Sequence, residues 1–375
     1  ASFFNVDDCR LMAENILKSA DTTDGGFGQA PKFLQTFSLQ YLFNYDHFFD
    51  NEAAKSHAIL TLSKMLNGGI YDQLAGGISR YSTDNEWLAP HFEKMLYDNA
   101  LFASVLCDAF QASGQEEFEM GIRNTLNFFL HEMKHPEGGF YTALDADSEG
   151  VEGKFYVWEK NEIEILLKGD AAIFCDYYNV TDEGNWERKN ILNVTSTAKE
   201  MATKYSMPVA LFNENIEESR QKLLEARRKR ISPGIDDKIL LNCNALLLSA
   251  FCKAYAVLQD EVYKIAAIEL YEFIEDKLTD KNLEAGLFHT YKNNQARYPA
   301  FLDDYAYYIQ ACIKLQEITS NQQYLYRANK LTSFVLEHFS DNESCLLYYT
   351  QKGQKDIIVR KIEIYDGATP SANSI

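Results

Sequence analysis

Basic residues are scarce in this chain: Lys and Arg number 36 against 55 Asp and Glu, a net charge of −19. A nucleic-acid partner needs a cationic stripe to neutralise phosphates. The one basic run, Arg227-Arg228-Lys229-Arg230, closes a segment rich in Glu (Glu214, Glu217, Glu218, Glu225) and reads as a solvated helix face. Nucleic acid and anionic membrane are therefore not expected as partners. Long apolar runs are also missing. The best, Ala245 to Cys252, is broken by Ser249 and followed by Lys253, short of the roughly 18 residues that a membrane span needs. No signal-peptide pattern opens the chain. It starts with Ala1 rather than Met, so an excised or processed piece is expected. The seven cysteines include no CxxC pair and read as reduced core residues of a cytoplasmic protein, without a disulfide framework or zinc site.

What is present is ordinary for a globular chain: 46% hydrophobic and 24% charged residues over 375 positions. Apolar periodicity predicts helices near 7–20, 34–50, 52–67, 91–112, 115–133, 208–230, 242–259, 262–278, 303–319 and 322–340. Between Glu137 and Pro208 lies a mixed stretch, with strand-like pieces at Gly139 to Leu144 and Lys154 to Trp158. A connection recurs after every second helix. It is seen at Gly25-Gly26-Phe27-Gly28, Gly68-Gly69-Ile70-Tyr71, Gly138-Gly139-Phe140-Tyr141 and Ala285-Gly286-Leu287-Phe288, with an echo at Cys345 to Thr350. Each is a glycine helix stop followed by an extended aromatic segment. Helical hairpins with their long loops at one end predict an all-α, (α/α)6-type toroid, a single domain over 1–375 with an irregular insertion at about 137–207. A sixth hairpin would begin at Pro370-Ser371, where a helix-start signal stands five residues from Ile375, so the toroid is expected to be incomplete at its C-terminus.

The densest polar cluster runs from Gly76 through Arg80, Tyr81 and Asp84 into Pro90-His91-Phe92-Glu93-Lys94-Met95-Leu96-Tyr97-Asp98-Asn99. Were 91–112 one helix, His91 and Asp98 would fall on the apolar stripe of Met95, Phe102, Val105, Leu106 and Ala109. Polar groups on a buried stripe must be paired or face a cavity, which places them at the barrel mouth. Both are then expected to be largely buried, with Arg80 or Lys94 as the partner of Asp98. A second cluster holds Asp145 and Asp147, which share a face if the segment is extended; two close carboxylates are a usual source of a general acid. Asp237, Asp303 and Asp304 precede proposed helix starts, where capping is the structural alternative. Asp303 is the natural cap and Asp304 lies beside the apolar side of its helix. His131-Glu132-Met133-Lys134-His135 matches HExxH literally, but Pro136 and Gly138-Gly139 end the helix at once, so no metal is expected there.

Three motifs, Gly25–Phe33 (GGFGQAPKF), Gly68–Leu74 (GGIYDQL) and Pro90–Ala100 (PHFEKMLYDNA), carry a resemblance to a known family. Gly138–Gly150, Leu302-Asp303-Asp304-Tyr305-Ala306 and Asp366–Ser371 extend it. The chain resembles the YyaL family of spermatogenesis-associated, thioredoxin-domain-containing proteins over nearly its whole length. The resemblance implies a six-hairpin glycosidase-like toroid, a type shared with N-acylglucosamine 2-epimerases, here without the family's thioredoxin-like domain. Where the family usually reads Trp-Asn-Gly after Asp-Asp-Lys, this chain has Asn242-Cys243-Asn244-Ala245, and Ala372 replaces a Gly.

Two functions follow as expectations. One is a glycoside hydrolase or sugar epimerase acting at a polar, acidic mouth. Its catalytic candidates are Asp145, Asp147 and His91; Arg80, Tyr81, Glu93, Lys94, Tyr97, Asp98, Asp237 and Asp304 would bind substrate. No cofactor is expected, and the partner is a carbohydrate ligand. The other is a non-catalytic sugar- or protein-binding toroid serving the thioredoxin-like domain of the full-length protein.

Overall fold

The computed structural model describes residues 5–341, 344–354 and 357–375. Its helices are α1 (Val6–Lys18), α2 (Thr36–Phe49), α3 (Glu52–Asn67), α4 (Leu96–Ser113), α5 (Glu116–Phe128), α6 (Lys160–Leu167), α7 (Ala171–Tyr177), α8 (Ala198–Lys204), α9 (Val209–Arg227), α10 (Leu241–Leu258), α11 (Glu261–Lys277), α12 (Leu302–Thr319) and α13 (Gln322–His338). The fold is all-α with short antiparallel strands in the loops, as the periodicity predicts.

Hairpins form for a local reason that repeats. α2–α3, α10–α11 and α12–α13 are each joined by two residues. The first takes a left-handed conformation (Asp50 φ 54°, Gln259 φ 54°, Ser320 φ 58°) and closes the preceding helix. The second (Asn51, Asp260, Asn321) caps the next helix by accepting a hydrogen bond from its first turn.

The chain divides into two compact units: 1–94 with 108–128 and 144–234, and 95–107 with 129–143 and 235–375. In the first, α2 and α3 pack together, and Leu74, Trp158, Ile163, Phe174, Phe212 and Leu223 anchor an apolar core under α6–α9. A three-stranded sheet there aligns Phe33 with Tyr81 and Tyr81 with His91. In the second unit α10 is the central helix, packed on α11 and α12, and α12 packs on α13. A hairpin, Phe288–Lys292 with Gln295–Pro299, takes Ile239–Leu240 as its third strand. By length and composition alone α10 could cross a membrane, but 67% of it is buried inside the fold as a core helix.

The repeated glycine loop is real, with one change of register. In the first loop Gly25 N donates to Asp21 O (2.9 Å) and Asp21 N to Gly26 O (3.0 Å). The same pair recurs as Gly76 N to Asp72 O (2.9 Å) and Asp72 N to Gly77 O (3.0 Å). The counterpart of Gly25-Gly26-Phe27 is therefore Gly76-Gly77-Ile78, not Gly68–Tyr71 as the sequence suggests. Gly68 and Gly69 instead allow close approach to the chain at Trp87 and Leu88: a Cβ on Gly69 would sit 2.2 Å from Leu88 O.

Several other expectations are corrected. Helix α4 begins at Leu96, and Pro90–His91 and Lys94–Met95 are short strands, because Tyr81 and Ser82 pair with His91 and Pro90. Lys154–Trp158 is a turn rather than a strand, tied down where Trp158 bridges Asn190. Arg227 is not on a solvated face; it is 3% exposed. At Pro370–Ile375 there is a turn and no helix.

Candidate functional site

Both units carry polar groups that the sequence singles out, and each group is placed by strand pairing or by a helix start. In the first unit, the strand Pro90–His91 brings His91 beside Tyr81, with ring centroids 5.1 Å apart and nearly parallel. Phe33, half exposed, lies 5.1 Å beyond Tyr81. His91 Nδ1 is 2.7 Å from Glu152 Oε1, and Nε2 is 3.8 Å from Glu93 Oε2, which also accepts from Arg80 Nη1 at 3.2 Å. Glu152 pairs with Asp147 across the hairpin Asp147–Ser148/Val151–Glu152. The expected alternation holds along this segment: Asp145 and Asp147 are exposed while Ala146 and Ser148 are buried. Asp145 N donates to Gly234 O (2.8 Å), and its Oδ1 accepts from Ala146 N. His91 is therefore held by a carboxylate, but it is a strand residue with a side chain 30% exposed. The expectation that His91 and Asp98 share one buried helical stripe fails, because the helix starts after His91. Tyr97 and Asp98 lie half-buried in the first turns of α4.

Lys94 has a structural task. Its ammonium, 1% exposed, donates to Asp72 Oδ2 (2.8 Å) and Gly76 O (2.9 Å). Arg227 donates to both oxygens of the same carboxylate at 2.9 Å each. Burial alone would raise the pKa of Asp72, but the Arg227 and Lys94 charges outweigh it and hold the carboxyl far below its usual range. The rings of Phe128 and Tyr156 flank the ammonium at 4.2 and 5.2 Å. The first glycine loop repeats the clamp: Lys32 Nζ donates to Asp21 Oδ2 (2.6 Å) and Gly25 O (2.9 Å).

In the second unit, Asp237 is exposed and paired with Lys292. The residue that caps α12 is Asp304, not Asp303 as the sequence suggests. Asp304, fully buried, caps α12 by accepting from Phe301 N (2.8 Å), and also accepts from Asn242 N (2.8 Å) and meets His289 Nδ1 (2.8 Å). Burial pushes its carboxyl up to about 6, against the His289 hydrogen bond. Burial would lower the pKa of His289, but the Asp304 carboxylate outweighs it and raises the pKa. Asp303 accepts from Asn242 Nδ2 (2.9 Å) and Asp304 N (2.9 Å), and hydrogen-bonds the Tyr349 hydroxyl. It lines a cavity of about 200 Å³ whose wall also carries Tyr307, Tyr349, Glu363 and Tyr365. Burial, with the Asp303 charge nearby, keeps the Tyr349 hydroxyl protonated.

Sequence reading did not find Glu152, His289, Asn242, Tyr349 or Glu363. Glu152 and His289 are placed by strand pairing, Asn242 by the start of α10, and Tyr349 and Glu363 by the segment after α13, none of which local periodicity carries. In the HExxH segment α5 passes into a π-turn over Phe129–Met133 and stops, so His131 and His135 are not one turn apart on a continuing helix. Among the described residues no group of three or more His, Cys, Asp or Glu side chains is placed to hold a metal ion.

No family model matches the chain. An uncharacterized protein of Caenorhabditis elegans, B0495.5, is 33% identical over 391 residues, covering 95% of this chain and 53% of its own length. Rat spermatogenesis-associated protein 20 is 32% identical over 394 residues, covering 95% of this chain and 50% of its own. The chain is thus similar, over nearly all of its own length, to part of spermatogenesis-associated protein 20. It spans about half the length of the curated relatives it matches. A family 76 α-mannanase of Bacteroides thetaiotaomicron superposes with a TM-score of 0.54 at 13% identity, over 91% of this chain and 73% of the mannanase. At that identity the likeness is one of fold, an (α/α)6 toroid.

Proposed function

We propose that the chain is a carbohydrate-active protein that cleaves a glycosidic bond at the Asp303 cavity. The observation that carries this reading is that two carboxylates, Asp303 and Glu363, line one cavity together with Tyr307, Tyr349 and Tyr365. Tyrosine rings give sugar C–H faces an apolar surface while their hydroxyls stay available for hydrogen bonds. Glycoside hydrolysis uses one ionised and one protonated carboxyl flanking the scissile bond. In this reading Asp303, held by Asn242, Tyr349 and the amide of Asp304, takes the nucleophile or base role, and Glu363 takes the general-acid role. Asp304 and His289 act behind them as positioning residues. The family 76 fold supports the substrate class. Mannotetraose titrated against the protein and followed by saturation-transfer NMR tests the binding half. Saturable binding that weakens by about tenfold in Tyr349→Ala is expected; binding indifferent to that substitution defeats the assignment.

A second reading is favoured by the 2.7 Å contact between His91 and Glu152. A carboxylate-oriented imidazole suits proton abstraction beside a sugar carbonyl, with Asp147, paired with Glu152 across its hairpin, as the adjacent acid. Incorporation of deuterium at C2 of a reducing sugar in D₂O, lost in His91→Ala, would select epimerisation over hydrolysis. A third reading, non-catalytic, has the toroid serve a thioredoxin-like domain of a longer protein; the relatives' roughly doubled length leaves room for such a domain. Turnover by the chain alone overturns it.

A further inference from the structure

A cleft of about 850 Å³ opens in the first unit, lined by residues from α3, α5, the end of α7, the polar loop 193–197 and α9. None of its residues belongs to the Asp303 cavity. Its volume falls in the upper part of the range of about 300–1,000 Å³ that holds small-molecule ligands.

The lining is amide, hydroxyl and tyrosine. Gln73 gives its amide hydrogens to Leu66 O (2.8 Å) and Gly68 O (2.9 Å), which fixes the side chain and leaves its carbonyl oxygen as an acceptor. Asn67 likewise donates to Ser63 O (2.8 Å) and keeps its oxygen. Asn124 lines the cleft half-buried, and Thr195 and Ser196 line it too. Tyr177 and Tyr178 form an edge-to-face pair, with centroids 4.8 Å apart, on the same wall. The cations are already engaged: Lys64 pairs with Asp24 at 3.2 Å, and Arg220 donates to Glu217, Gln73 O and Leu74 O. Glu86, Glu117 and Glu200 add to the acidic side of the lining.

We infer that this cleft is a separate binding site for a neutral oligosaccharide. Fixed amide oxygens and a free amide meet the hydroxyls of a sugar, each of which both donates and accepts. The tyrosines supply an apolar wall. The carboxylate surplus repels phosphorylated, sulfated or uronic ligands. Room for several rings suits a chain rather than a monosaccharide.

The test uses mannotetraose, cellotetraose and tetragalacturonate as probes, with calorimetry on a protein carrying Asp303→Asn and Tyr349→Ala so that the other cavity is silent. One of the neutral tetraoses is expected to bind saturably. Adding Asn124→Ala should weaken it by about fivefold, the worth of one hydrogen bond. Ser196→Trp, which fills the cleft from its exposed loop, should abolish binding without lowering the melting temperature. Tetragalacturonate should not bind. If neither neutral tetraose binds, if both cleft substitutions leave affinity within about twofold, or if tetragalacturonate competes, the inference is overturned. Loss of turnover in the Asp303 variants with cleft binding intact separates the fate of this site from that of the proposed hydrolytic one.

Discussion

Replacing Asp72 by Asn should cost more stability than any other single carboxylate change in the first unit. Asp72 is 5% exposed and receives five hydrogen bonds: two from Arg227 (2.9 Å each), one from Lys94 (2.8 Å) and the amides of Leu74 (3.0 Å) and Ala75 (3.2 Å). The amide of Asn is the same size, but it removes the charge and turns one acceptor into a donor facing a cation. Arg227, 4% exposed, and Lys94, 1% exposed, then remain buried without their counter-charge. Breaking a buried pair on one side typically costs about 3–5 kcal/mol, a large share of the roughly 5–15 kcal/mol that holds a domain folded. The sister clamp sets the scale: Asp21 is 21% exposed and faces one buried ammonium, so Asp21→Asn should cost about 1–3 kcal/mol. Urea unfolding by circular dichroism measures both, with the exposed Asp237→Asn as a control expected to leave the midpoint unchanged. If Asp72→Asn unfolds at the same urea concentration as Asp237→Asn, the clamp does not hold the loops and the reasoning is wrong. The sign with pH is fixed as well. The folded pKa of Asp72 is depressed, so its contribution is present above the unfolded value of about 3.9 and fades as pH falls below it.

Asp304 works in the opposite direction. Its folded pKa is raised to about 6, as that of His289 is raised above its usual value, so both favour the fold at low pH and lose that contribution as pH rises. The thermal midpoint should therefore fall between about pH 5 and 7, and the slope should flatten in Asp304→Asn, where NMR titration should show the His289 pKa lowered. Gly76→Ala should be severe, because its φ is +83° and a Cβ would lie 2.3 Å from Asn124 O. Gly28→Ala, with φ +72° and nothing within 4 Å, should cost only the left-handed penalty of about 1–2 kcal/mol. Equal losses for the two would mean that close approach does not matter at the second loop.

The helices were legible because each hairpin carries its own instructions: an apolar stripe, a left-handed stop and an Asn or Asp cap within two residues, as at Asp50-Asn51 and Ser320-Asn321. The start of α4 was not, since the apolar spacing through Met95 continues the helical pattern backwards. Pairing of His91 with Tyr81 overrides that spacing. Arg227 looked solvated because its partner is 155 residues away in sequence. The clamp itself was visible in outline as Asp followed by Gly-Gly at fixed spacing, Asp21 to Gly25 and Asp72 to Gly76, but Gly68-Gly69 offered a closer match by composition. At the candidate site, Asp303 and Asp304 were found as helix-start acids. Their division of labour was not, because it is set by His289 and Asn242, which arrive from a hairpin and from another helix.

Hydrolysis at the Asp303 cavity is most directly tested by incubating the protein with neutral oligosaccharides in H₂¹⁸O and weighing the products by mass spectrometry. Cleavage with one ¹⁸O in the new reducing end is expected, abolished in Asp303→Asn and strongly reduced in Glu363→Gln, while both variants keep the wild-type melting temperature. Cleavage that survives Asp303→Asn unchanged, or the absence of any ¹⁸O-labelled product from the wild-type protein, would contradict the account.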